Sequence, residues 1–271
     1  RDVAPSRGLG DVYKRQIYGF VNDGFYTVDD FNFDETTKKW TLKPGVPDNS
    51  SFSSGNFSFK PGAMRFKKLS DSDSDLITEE DMTVIGNTNP KVTGGFGLSG
   101  SWKNLDFTAF FNYMCDFDVF NVNKLYLNSA VRRNYSNLST NMNLARRFRY
   151  VDDAGVNVSS DPVALAALNQ NAATYSWMSV TQGITMSDLI EDGSFLRLST
   201  LTVGYTFPQR WLSRLGVKSL RLYFSSSNLF TLTGYSGYDP EVNIQKGLTP
   251  GIDNNVTPRS RVYTLGMNLN F

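Results

Sequence analysis

In 271 residues the chain carries 27 Lys and Arg against 26 Asp and Glu, no histidine, and a single cysteine, Cys115. So even a charge balance gives nucleic acid no electrostatic footprint, one cysteine builds no internal disulfide framework, and the commonest general base and metal ligand is absent. At 40% hydrophobic but 14% aromatic, the composition fits a soluble β-protein or a transmembrane barrel, in which only alternate residues meet lipid; no apolar run approaches the roughly 18 residues of a membrane helix.

Residues 1–16, RDVAPSRGLGDVYKRQ, precede any periodicity. Asp11 to Gln16 can be encoded by a string that looks like the transposon adapter of sequencing libraries. Residues 1–16 are therefore read as a translation artefact, and 17–271 as the portion that folds. The first expected strand is 17–27. A long connection, 28–91, follows, rich in Pro, Asn, Ser and Gly over 46–60. It contains an acidic loop in which Asp71, Asp73 and Asp75 have the 1, 3, 5 spacing of a calcium loop. Leu76 stands where that loop needs Gly and Met82 where it needs Glu, so a solvated acidic loop is expected, with calcium as the alternative.

Residues 92–102 and 105–115 read as two strands joined by Lys103-Asn104. Phe96, Leu98 and Trp102 alternate with Gly and Ser; Leu105, Phe107, Ala109, Phe111 and Tyr113 alternate with a mostly polar set that Phe110 and Met114 interrupt. Gly95, Gly97 and Gly100 match the G-x-G-x-x-G fingerprint. They lie inside a strand rather than before a helix, so no nucleotide is expected, and no other motif asks for a cofactor. In the connection 116–194, Asp161-Pro162 before Val163–Leu168 reads as a short helix with an Asp N-cap and Pro at its first position. Arg132, Arg133, Arg146, Arg147 and Arg149 cluster in the same connection, to be solvated or locally paired, or to meet an acidic surface. Strands are expected at 195–207 and 219–231, joined by Pro208–Lys218, and at 260–271. In the last of these, Tyr263, Leu265, Met267, Leu269 and Phe271 share one face. Such an alternation ending on an aromatic is what outer-membrane proteins show to the barrel assembly machinery.

Six strands of this length suit tilted membrane strands of roughly 9–11 residues. Short and long connections alternate, as the periplasmic turns and extracellular loops of an outer-membrane barrel do. The expected fold is therefore all-β: an antiparallel transmembrane segment of a larger barrel, in the outer membrane of a Gram-negative bacterium and surrounded by its lipid.

Three stretches together resemble the SusC/RagA family of TonB-linked transporters. They are Pro61–Lys67 with Asp81–Gly97, Glu191–Tyr205 continuing through Ser227 to Glu241, and Pro250–Asp253 through Pro258-Arg259 to Phe271. The resemblance covers 17–271. It implies the last six strands of a 22-stranded barrel with a plugged lumen, energy from TonB through a missing N-terminal part, a SusD-like lipoprotein as lid, and an oligosaccharide or peptide cargo. The acidic loop departs from the family's pattern in lacking its glycine. Tyr235 and Tyr238, just beyond a strand at the outer mouth, are the residues expected to contact substrate or lid, or else to join an aromatic girdle. No catalytic residue is expected, since neither a Ser-His-Asp triad nor another histidine-based site can form. The alternative to an importer is a secreted or surface all-β adhesin or glycan-binding domain.

Overall fold

A computed structural model describes residues 16–52, 59–128, 137–176, 184–242 and 251–271. Residues 1–15 of the segment read as artefact lie outside the described residues. The portion from 17 onward forms two compact units. One unites the chain up to Gly86 with Phe120–Ile190; the other unites Asn87–Val119 with Glu191–Phe271.

The second unit is built on five long antiparallel strands: β1 (Val92–Trp102), β2 (Leu105–Cys115), β3 (Phe195–Thr206), β4 (Ser219–Thr233) and β5 (Val262–Asn270). Each neighbours the next in sequence, in the order β5-β4-β3-β2-β1. The Lys103-Asn104 turn is tight because Lys103 takes a positive φ of 54°. Pro208–Lys218 holds one turn of helix, Gln209–Leu212, and closes through Gly216 at φ 68°. The long connections both leave from the opposite end of the sheet.

Register gives the sheet two unlike faces. Trp102, Leu105, Tyr205, Leu222 and Met267 form one row across all five strands, and Gly100, Phe107, Val203, Phe224 and Leu265 the next. Most of these side chains are open to the surroundings, Leu265 to 84%. On the other face run Ser101, Asp106, Gly204, Tyr223 and Gly266, then Ser99, Thr108, Thr202, Ser225 and Thr264. The polar face has two close fits in neighbouring positions. A Cβ on Gly266 would lie 2.1 Å from the ring of Tyr223, and one on Gly204 2.3 Å from the Arg221 guanidinium. Arg221 in turn donates to both carboxylate oxygens of Asp106, at 3.1 and 2.5 Å.

The strands expected at 92–102, 105–115, 195–207, 219–231 and 260–271 are all present, within a few residues at their ends. The strand expected at 17–27 is not. Gln16–Gly19 and Asn22–Phe25 are separate four-residue strands in the first unit, the second of them paired with Met64–Phe66. The run is interrupted at Phe20-Val21, and Gly24, at φ 83°, adds an irregularity inside the second strand. Phe20 and Tyr26, inside the expected strand, are buried in this unit: Phe20 stacks 5.1 Å from Phe66, and the Tyr26 hydroxyl lies against the Pro47 carbonyl and Asn49. The described residues therefore hold five long strands, not six.

This first unit gathers most of the connections 28–91 and 116–194 around its own apolar core of Phe20, Met64, Phe66, Ile77, Leu125 and Met142, among others. The expected helix is there as Pro162–Leu168, with Asp161 Oδ1 accepting from the amides of Val163 and Ala164, both at 3.0 Å. The acidic loop is organised by Asp81, which is fully buried. Its carboxylate accepts from the amides of Leu69 and Ser70 at 2.8 Å and Thr78 at 2.9 Å, with Lys68 Nζ at 3.2 Å. Burial alone would raise its pKa, but these donors outweigh it and hold the carboxyl well below the usual carboxylate range.

Two outcomes are expected in the full-length protein. Gly266→Ala forces the Tyr223 ring aside, costs about 1–3 kcal/mol, and lowers the fraction of heat-modifiable folded barrel on gels; adding Tyr223→Ala restores it. Asp81 is depressed when folded, so its contribution is complete above the unfolded carboxyl value near about 3.9 and drains away as pH falls through the lower folded value. Hydrogen exchange at Leu69, Ser70 and Thr78 is therefore still protected at about pH 4 and is lost only as the pH falls on toward the lower folded value, whereas Asp81→Ala loses it at every pH.

Candidate functional site

The site begins with an irregularity in β3. Leu196 and Leu198 pair with Tyr113 and Phe111 of β2, but Leu201, Val203 and Tyr205 pair with Ala109, Phe107 and Leu105. Between Leu198 and Thr200 β3 advances two residues while β2 advances one, so Ser199 is a bulge. Unbroken alternation from Leu201 would send Arg197 to the apolar face. The extra residue returns it to the polar one, opposite Asn112 and Thr231. At the same level Asn228 of β4 takes a positive φ of 52°.

There Arg197 is 2% exposed, covered by the connection that follows β4. Its Nη2 donates to Asp239 Oδ1 at 2.5 Å and its Nη1 lies 3.2 Å from Glu241 Oε2, an ion pair without hydrogen-bond alignment. Arg259 closes the group: its side chain donates to Glu241 Oε1 at 2.7 Å and its amide to Asp239 Oδ2 at 3.1 Å. A buried guanidinium is tolerated because two carboxylates answer it. Beside this, the Ser236 amide and hydroxyl both donate to Glu191, each at 2.9 Å.

The two tyrosines expected at the mouth part company. Tyr235 is 6% exposed, packed with Phe117, Val119, Phe195 and Val242, and donates from its hydroxyl to Asp253 Oδ2 at 2.6 Å. Burial and the Asp253 carboxylate push its hydroxyl pKa far up. Its ring fills the space over Gly237, where a Cβ would lie 2.4 Å away. It is a strut of the loop, with no ring face free for a ligand. Tyr238 is 82% exposed, on a turn whose flanks, Ser236 and Asp239, are both tied down. Neither periodicity nor spacing marks Arg197 as the hub; only the bulge, invisible in the alternation, turns it inward. The partners all lie within stretches that carried the family resemblance, Glu191–Arg197, Tyr235–Glu241 and Asp253–Arg259, now joined by bonds.

The remaining expected residues are spread out. Tyr263, Leu265, Met267, Leu269 and Phe271 stand exposed at the edge of the sheet. Asp71, Asp73 and Asp75 do not converge: Asp75 accepts from the Gly45 amide at 2.8 Å, and no group of three metal-binding side chains occurs among the described residues. Arg149 pairs with Asp153 at 2.6 Å and Arg147 donates to the Met142 carbonyl at 3.2 Å, so this part of the basic cluster is locally paired. Arg132 and Arg133 lie outside the described residues.

No family model matches the chain. TonB-dependent receptor P3 of Formosa agariphila is 28% identical over 217 residues, 78% of this chain and 19% of the relative. TonB-dependent receptor SusC of Bacteroides thetaiotaomicron is 34% identical over 140 residues, 51% of this chain and 12% of SusC. The chain is similar in sequence to TonB-dependent receptors, SusC among them. The fold agrees: the RagAB peptide importer in its open-open state superposes with a TM-score of 0.55 at 20% identity, over 94% of this chain and 22% of that one. Against whole TonB-dependent receptors the chain spans only a fraction, from 12% to 24% of the curated relatives' length. The named relatives are receptors and an importer rather than enzymes.

Arg197→Met keeps the bulk and removes the charge, leaving Asp239 and Glu241 without their buried counter-ion, at a cost of about 3–5 kcal/mol. Expected is faster proteolysis and hydrogen exchange across 234–242, with the exchange of β1 and β2 unchanged.

Proposed function

We propose that this chain supplies the last membrane wall and outer loops of a TonB-dependent importer in the outer membrane of a Gram-negative bacterium. Residues 17–271 are its barrel end; plug and TonB contact belong to the remainder of the protein. One observation carries the reading: a five-strand sheet with a continuous exposed apolar face and a small-polar opposite face. Soluble monomers rarely expose apolar patches beyond a few hundred Å², whereas a barrel wall must show lipid such a face and keep its lumen polar. This also disfavours the adhesin reading, which needs a water-soluble closed fold.

The cargo class is oligosaccharide or peptide, and the partner a SusD-like surface lipoprotein. RagAB, whose fold the chain shares, is a peptide importer. Tyr238, presented on a fixed turn, is the residue that meets cargo or lid; Tyr235 serves it from beneath. Tyr263, Leu265, Met267, Leu269 and Phe271 form the face read by the barrel assembly machinery and then covered by lipid.

The test is a deletion of the full gene, grown on separate oligosaccharides and peptides as sole nutrient. Growth fails on one class and returns with the wild-type gene, while the Tyr238→Ala gene returns it at a reduced uptake rate with a normal amount of barrel in the membrane. Undiminished growth on every substrate, with TonB-independent uptake, overturns the importer reading.

A further inference from the structure

The two short connections carry a charge pattern that the importer reading does not use. Trp102-Lys103-Asn104 and Phe207–Ser219 together contain Lys103, Arg210, Arg214 and Lys218, and no Asp or Glu. All four basic side chains are exposed, and none forms an ion pair with an acid among the described residues. An α-carboxylate at Phe271 would subtract one charge at most. The connections are adjacent: the Thr206 amide donates to the Asn104 carbonyl at 2.8 Å, and the Asn104 side chain returns a bond to Thr206 at 2.6 Å.

Aromatic rings stand among these charges. Trp102 is 70% and Trp211 53% exposed. Lys103 Nζ lies 4.7 Å over the Trp102 ring and the Arg210 guanidinium 5.9 Å from that of Trp211. Phe207 bridges Tyr205 and Trp211, with centroids at 5.1 and 6.2 Å. Rings with one apolar and one wet end settle at the boundary of hydrocarbon and headgroups. Immediately within that boundary the apolar face is hollowed into an open groove of about 500 Å³, lined by Leu105, Val203, Tyr205, Leu222, Phe224 and Leu265 among others. Its lining includes the last apolar row before the short connections.

We propose that this end of the sheet binds an anionic phospholipid of the membrane leaflet it faces. Lys103, Arg210, Arg214 and Lys218 hold the phosphate-bearing headgroup, the Trp102 and Trp211 rings mark its depth, and an acyl chain lies in the groove. Charge complementarity selects an anionic headgroup over a zwitterionic one. The groove selects a lipid over free phosphate, since an inorganic ion leaves it empty. The inference rests on the membrane reading given above.

The full-length protein is reconstituted in nanodiscs of phosphatidylcholine, with or without one third phosphatidylglycerol, and its thermal unfolding is followed. Phosphatidylglycerol raises the midpoint of the wild-type protein. The variant Lys103→Gln, Arg210→Gln, Arg214→Gln, Lys218→Gln loses that increment but matches wild type in pure phosphatidylcholine. Exchanging each Lys for Arg and each Arg for Lys keeps it. An equal increment in wild type and the Gln variant overturns the lipid contact alone. So does an equal rise when inorganic phosphate is added to phosphatidylcholine discs. Failure of the wild-type protein to enter either disc overturns the membrane reading and this inference with it.

Discussion

Hydrocarbon offers a backbone amide no hydrogen-bond partner, and every other feature of the second unit follows from that. A strand in such a solvent must be bonded to its neighbours, so five strands lie side by side in one antiparallel sheet. Period-two geometry then leaves the sequence one freedom, the choice of which face is greasy. Leucine, valine and most of the aromatic rings occupy one; serine, threonine, glycine and asparagine, with Asp106, Phe110, Arg221 and Tyr223 among them, the other. The connections at one end are short, a two-residue turn and a link holding a single helical turn, while those at the other end are long.

That elaboration is not loose chain. Two of the long connections build a unit with its own core, helices and a buried acid. The third is fastened to the sheet through Arg197. The economy of this fastening lies in the bulge at Ser199: one extra residue turns a guanidinium from the apolar face to one where two carboxylates await it. The turn beyond is thereby tied on both sides of Tyr238, at Ser236 and Asp239, and a segment already held loses less entropy on binding.

Much of this was legible beforehand. A strand with clean alternation, such as Tyr263–Phe271, is where expected, because a face demanded by lipid leaves its mark every second residue. The helix after Asp161 is likewise local chemistry, a side-chain acceptor and a proline at the positions that welcome them. What escaped is whatever depends on distant residues. The run from Ile17 to Tyr26 alternates well enough, yet its aromatic rings find a core made by Met64, Phe66 and Met186 and leave the membrane plan. Tyr235 and Tyr238 look alike in a string of letters; only Asp253, eighteen residues on, and the packing of Phe117 and Phe195 separate strut from surface. Arg197 was hidden for the opposite reason, since a regular pattern overruled the single residue that breaks it.

The glycines beneath Tyr223 and Arg221 have a kinetic side. A strand that slips by one residue during insertion exposes itself at once, because its greasy side chains turn inward. A slip of two is more dangerous: every Leu and Phe still faces outward, and lipophilicity cannot distinguish the wrong alignment from the right one. The shape of the polar face can. Moved by two, the Tyr223 ring stands over Thr264 or Asn268 in place of Gly266, where a side chain already occupies the space it needs. The missing Cβ thus acts as a keyhole that admits one alignment, a proofreading step written in what the strand leaves out.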